Sequence, residues 1–199
     1  VIKRAEKNIR ELLNLKDNYA VLFVQGGASL QFPMIPMNFA RHGETVDYID
    51  TGNWAVAAIK EAKILGTNEV KVVASSKDTN YDRIPEVGRV KVEKNAAYLH
   101  ITSNNTIEGT QFHSFPETGA PLIADMSSDF MSRLVDVNDF GMIYAGAQKN
   151  IGPSGVAVVI LRKDLADRAP ANLPTMLKYK TYIEKENLYN TPPTFTIYM

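Results

Sequence analysis

No cysteine occurs in the 199 residues, so disulfides, thiolate nucleophiles and cysteine-ligated metals are excluded together. Neither sign of charge is in excess: 22 Lys and Arg stand against 22 Asp and Glu, a formal net charge of zero. That balance removes the electrostatic argument for a nucleic-acid or anionic-membrane partner, and it is compatible with an oligomer. No apolar run approaches the roughly 20 residues of a membrane span, and no basic-then-apolar leader opens the chain. A cytoplasmic location is the default expectation. Histidine is scarce, and His42, His100 and His113 are scattered without the spacing of a ligand set, so no metal is expected.

What is present is ordinary globular material, 45% hydrophobic and 22% charged, long enough for one sizeable core. VIKRAEKNIRELLNL places Ile2, Ala5, Ile9, Leu12 and Leu13 at helical spacing. GNWAVAAIKEAKILG predicts a second helix, opened by Asn53 and closed by Gly66. ASLQFPMIPMNFA starts as a helix and is expected to break at Pro33 and Pro36, and KDLADRA is helix-like. YAVLFVQ, TVDYIDT, EVKVVAS, AYLHITS, PLIADMSS, FGMIYAGA and GVAVVILR read as strands. The terminal TFTIYM also looks strand-like. Continuously apolar strands interleaved with helices predict an α/β fold: three layers, α/β/α, around a mostly parallel sheet of about seven strands.

In such sheets ligands sit where strands end and helices begin. VQGGASLQF puts Gly26 and Gly27 after a strand, with Ala28 and Ser29 at a helix start, where exposed N–H groups favour a phosphate. A tight turn with Ser29 as N-cap explains the same residues. DTGNWAVAA sets Trp54, the only tryptophan, at another helix start, fit either to stack on a ligand ring or to pack into the core. Thr106 in SNNTIEGTQF is a ligand hydroxyl or a turn residue. Asp125 in PLIADMSSDF ends an apolar strand, where a buried carboxylate needs a partner. Lys149 in IYAGAQKNIGPSG follows one strand later, either as a solvated surface charge or as an amine able to capture a carbonyl. Taken singly, each has a bland explanation. Together, a phosphate cradle, a stacking ring, a hydroxyl, a carboxylate and an amine are the parts that hold pyridoxal phosphate.

GGASLQF, DTGNW, SNNTIEGTQF, ADMSSDFMSR, YAGAQKNIGPSG and NTPPTF resemble, in that order, the motif series of the phosphoserine aminotransferases. These are pyridoxal phosphate enzymes of fold type I, within the aspartate aminotransferase superfamily. The resemblance covers nearly the whole chain. It implies that Lys149 is the Schiff-base lysine, that Asp125 pairs with the ring nitrogen, and that Trp54 stacks on the ring with Thr106 near its oxygen. It further implies that Ala28, Ser29 and Gln148 meet the cofactor phosphate. Asn190 and Thr191 are expected to reach the phosphate of the neighbouring subunit's cofactor in a homodimer. The implied reaction moves an amino group from glutamate to 3-phosphohydroxypyruvate, giving O-phospho-L-serine and 2-oxoglutarate in serine biosynthesis. Residues 1–199 are then one large cofactor domain, with the family's N-terminal segment and C-terminal small domain outside them. Other type I enzymes, including class V aminotransferases and desulfurases, share the Asp–Lys spacing and stand as alternatives. A nucleotide-binding module has GGAS in its favour but neither GxGxxG nor a Walker pattern. An inactive fragment serving dimer contact is the remaining alternative.

Overall fold

The computed structural model describes all residues, 1–199. Nine strands form in chain order: β1 (Tyr19–Val24), β2 (Thr45–Asp50), β3 (Glu69–Ser75), β4 (Ala96–Thr102), β5 (Asn104–Asn105), β6 (Thr110–Gln111), β7 (Leu122–Asp125), β8 (Met142–Gly146) and β9 (Ala157–Arg162). Seven of them make one sheet in the order β1-β9-β8-β7-β4-β2-β3, while β5 and β6 pair as a small separate ribbon. Only β9 runs against its neighbours; β8, β7, β4, β2 and β3 are mutually parallel. The expected mostly parallel seven-stranded sheet is therefore present.

The helices are α1 (Ile2–Leu12), α2 (Gly27–Phe39), α3 (Asn53–Leu65), α4 (Ala147–Asn150), α5 (Lys163–Ala166), α6 (Tyr179–Glu184) and α7 (Thr194–Tyr198). Along β1 the side chains alternate between two cores. Ala20, Leu22 and Val24 join a cluster with Phe32, Met34, Ile35, Ala58 and Ile59 from α2 and α3. Tyr19, Val21 and Phe23 join the opposite cluster, against which Ile2, Ala5 and Ile9 of α1 pack. Each face of the sheet thus carries helices, which explains why β1 and β8 are apolar along their length rather than alternating.

Two expectations fail. Pro33 and Pro36 do not break α2, which runs unbroken through Phe39. Buried packing against α3 and β8 outweighs the local cost of two missing N–H donors. The terminal TFTIY is helical, not a strand: it lies beside α1 and packs Ile197 against the core on that face, a tertiary contact that outweighs its β-like composition.

Candidate functional site

Gly27, Ala28, Ser29, Trp54, Asp125 and Lys149 converge on one cavity of about 130 Å³ at the carboxyl ends of the central strands, which Phe32, Thr102, Asn104, Ser127, Ser128 and Gln148 also line. The site thus gathers residues from five separate stretches of chain, as crossover connections in a parallel sheet do.

Asp125 is the last residue of β7, with only 6% of its surface exposed. Its neighbours in register are Thr102 on β4 and Tyr144 on β8. Ser127 turns back on it, donating to Oδ1 from both its backbone N–H at 2.9 Å and its hydroxyl at 2.6 Å. Both bonds end on Oδ1. Burial raises the Asp125 pKa, while the Ser127 bonds and the Lys149 charge oppose that rise.

Lys149 sits on the short α4, immediately after β8. Its side chain is exposed at the mouth of the cavity rather than buried. The ammonium donates to Thr106 Oγ1 at 3.1 Å and lies 5.0 Å above the centre of the Trp54 ring. Trp54 is half-buried at the start of α3. Thr106, itself exposed, touches the site through Lys149 only. The ribbon β5–β6 carries Thr106 in its turn and also sends Glu108 to accept from the Asn53 N–H at 2.7 Å. One turn therefore anchors both the lysine and the helix bearing the tryptophan.

The start of α2 decides between the two readings of Ser29. The N-cap is Gly26, in the left-handed region at φ 87°, and no side chain caps the helix. Ser29 is therefore no cap, and the first N–H groups of a thirteen-residue helix are left for whatever enters the cavity. Gly146 permits this approach: a Cβ there would stand 3.0 Å from Gln148 Oε1 and 3.4 Å from Ala28 Cβ. Ala145 and Ala147 are buried on the opposite face, in the cluster against which α1 packs, so of these small residues it is Gly146 that lets α2 come close to β8.

Asn190 and Thr191 do not join the cavity. Both are exposed beyond α6, where Asn190 Nδ2 contacts Met176 Sδ at 3.4 Å.

Ser127 was not singled out from the sequence. Its hydroxyl also accepts from the Gly146 N–H at 3.0 Å, tying the aspartate's strand end to the lysine's. The serine pair directly after the aspartate in ADMSSD was the available signal. Thr102 was missed as well, because its role follows from cross-strand register, which sequence spacing does not display. Beneath the site lies His100, fully buried with its Nε2 2.9 Å from the Tyr144 hydroxyl. Burial pushes its pKa down to about 3, so it is neutral.

A family model described as aminotransferase class-V matches residues 1–199. A phosphoserine aminotransferase of Niallia circulans is 56% identical over 200 residues, covering 100% of this chain and 55% of that protein. One from Syntrophobacter fumaroxidans is 58% identical, covering 100% and 54%. The chain thus spans about half the length of the curated relatives it matches. Among solved structures, phosphoserine aminotransferase from Bacillus circulans subsp. alkalophilus superposes with a TM-score of 0.96 at 55% identity, covering 99% of this chain and 54% of that one. A PLP-bound phosphoserine aminotransferase from Trichomonas vaginalis gives 0.91 at 41%, covering 99% and 55%.

Proposed function

The chain belongs to the class-V aminotransferase family, and from that premise we propose that its cavity binds pyridoxal 5′-phosphate and serves transfer of an amino group from glutamate to 3-phosphohydroxypyruvate. The observation that carries this reading is the placement of Lys149 at the mouth of a cavity whose buried wall bears Asp125. Phosphoserine aminotransferases are what the similar curated proteins are named, and a solved relative is described by its Schiff base.

The residues present fit the cofactor. Two buried polar atoms that line the cavity's residues have no partner within the chain, Trp54 Nε1 and Thr102 Oγ1. Buried polar groups of this kind are normally paired, so a polar ligand is the natural complement. The uncapped start of α2, at Gly27, Ala28 and Ser29, supplies N–H donors and a hydroxyl for a phosphate, with Gln148 beside them. Trp54 offers a flat face, and Asp125 an anion for a protonated ring nitrogen.

When bound, pyridoxal phosphate supplies an aldehyde for amines and a ring that withdraws electrons from an attached substrate carbon. The chain's residues do the remainder. Lys149 holds the cofactor through its amine while no substrate is present. With its amine free, Lys149 Nζ would be the base that takes the proton from the substrate Cα. Thr106 Oγ1 and the Trp54 ring restrict where that amine can swing. Asp125 keeps the ring nitrogen protonated, and Ser127 orients Asp125.

The reading extends to a homodimer in which Asn190 and Thr191 reach the partner's cofactor phosphate, since both stand exposed and apart from their own cavity. Residues 1–199 then form the cofactor domain, and the rest of the full-length protein contributes basic groups for the substrate's carboxylate and phosphate. A cytoplasmic location goes with this activity. No helix here is long and apolar enough to cross a membrane.

The test uses full-length protein incubated with pyridoxal phosphate. A visible absorbance band is expected, lost in Lys149→Ala, with borohydride fixing the cofactor on the peptide that contains Lys149. Supplied with glutamate and 3-phosphohydroxypyruvate, the protein is expected to form phosphoserine. Absence of any Lys149-dependent band refutes the cofactor, and a band without phosphoserine formation refutes the substrate.

A further inference from the structure

Behind the cavity wall, three polar side chains follow one another across the sheet. Asp125 ends β7, Tyr144 lies beside it in register on β8, and His100 on β4 bonds the Tyr144 hydroxyl. Tyr144 and His100 show 0% and 1% exposure. The other ring against His100 is Tyr48, at 5.1 Å between centres, and its hydroxyl engages Tyr98 at 2.8 Å instead. Tyr144 is therefore the hydroxyl that His100 has. On the far side of the imidazole, Nδ1 is buried with no partner.

That orphan atom decides where the protons go. A proton on Nδ1 would bury an N–H donor with no acceptor, and Nε2 would then draw the phenol's proton towards His100. A proton on Nε2 leaves at Nδ1 only a bare lone pair, and frees the Tyr144 O–H to point elsewhere. The polar neighbour remaining to it is the carboxylate of Asp125, its register partner on β7, whose negative charge adds to burial in raising the Tyr144 pKa.

We propose that Tyr144 and His100 are positioning residues for Asp125: neutral His100 donates its Nε2–H to Tyr144 Oη, and the phenol directs its own proton to the Asp125 carboxylate. The pair supplies a donor besides Ser127, whose two bonds both end on Oδ1. A buried carboxylate stays ionised in proportion to such donors. The pair's contribution is thus to keep Asp125 charged and aimed at the cavity. This role rests on the reading of Asp125 as the partner of a cofactor ring, whereas the arrangement of protons does not.

The two parts are tested separately, in full-length protein. Long-range proton–nitrogen spectra of nitrogen-15 histidine report the tautomer without any need for activity. His100 is expected neutral with its proton on Nε2, and Tyr144→Phe is expected to move the Nε2 resonance more than the Nδ1 resonance. A proton on Nδ1, or an imidazolium at neutral pH, overturns the proposal. With pyridoxal phosphate bound, Tyr144→Phe is expected to lower kcat roughly tenfold, the scale of losing an outer hydrogen-bonded partner. KM for glutamate and the Lys149-dependent band are expected to hold. His100→Phe is expected to act in the same direction, the double variant to be no worse than Tyr144→Phe, and His100→Gln, which retains a donor, to recover part of the loss. Additive effects of the two substitutions, or loss of the band in Tyr144→Phe, would show a merely structural pair and sink the proposal. A wild-type protein with the expected tautomer but no Lys149-dependent band refutes the cofactor reading, and the positioning role with it.

Discussion

Asp125 shows at the scale of one residue how a site is maintained against the stability of its own fold. Folding raises its pKa, chiefly through burial, so the folded chain holds the Asp125 proton more tightly than the unfolded chain does. Its contribution to stability is therefore complete below the ordinary value of 3.8 and is lost as pH rises through the raised folded value. Above the raised folded value the ionised carboxylate opposes folding. Asp125→Asn, which can still accept from Ser127, is accordingly expected to stabilise the cofactor-free full-length protein at neutral pH by on the order of 1 kcal/mol. The gain should vanish below the ordinary carboxylate pKa, as denaturant titrations at the two pH values would reveal. Amino transfer is expected to fall much further than cofactor capture, because Lys149 and the start of α2 are untouched. Equal loss of both would make Asp125 mainly structural. This residue was legible in the sequence because a carboxylate closing an apolar strand is costly. Its partner Ser127 was less so, since nothing in a serine's identity tells which way its hydroxyl turns.

Among the elements, the β5–β6 ribbon and the start of α3 depend on a backbone detail. Gly52, the N-cap of α3, has φ 149°, and a Cβ there would lie 2.4 Å from the Glu108 carboxyl carbon. That carboxylate accepts the Asn53 N–H and so links the Thr106 turn to the helix of Trp54. Gly52→Ala is expected to cost roughly 1–3 kcal/mol through strain and displaced Glu108. Because the displaced parts carry Thr106 and Trp54, pyridoxal phosphate affinity should drop with it. Wild-type affinity in a destabilised Gly52→Ala protein would separate the ribbon from the site. Elements were legible where local pattern and burial agree, as in α1, α3 and the seven sheet strands. The exceptions are α2, where proline signals a break that tertiary packing overrides, α7, where a β-like composition packs as a helix beside α1, and α6 and the β5–β6 ribbon, which no local pattern announced.

For the whole molecule, the informative residues are those that the cavity leaves out. Asn190 and Thr191 lie exposed, away from Lys149. If they complete the partner's site, full-length Asn190→Ala should keep a Lys149-dependent band but bind pyridoxal phosphate more weakly. Mixing that variant with inactive Lys149→Ala subunits, then unfolding and refolding them together, should produce hybrid dimers in which one site combines an intact Lys149 with an intact Asn190. Recovery of cofactor affinity beyond that of the Asn190→Ala parent supports the shared site. No recovery in hybrids whose formation is verified by mass would confine each site to its own chain.

The sequence by itself determined the layered α/β class, the absence of cysteine chemistry, and the residue types at strand ends from which an amine, a carboxylate, a ring and a helix start could be named. Each of these depends on composition or on periods of a few residues, which the linear order displays directly. Only the tertiary structure decided that Ser29 is not a cap, that Lys149 stands at a cavity mouth beside Thr106 and Trp54, and that Ser127, Thr102 and Tyr144 adjoin Asp125 with His100 behind Tyr144. These relations run across neighbouring strands, and parallel pairing joins residues far apart in the chain through a register that no local pattern encodes.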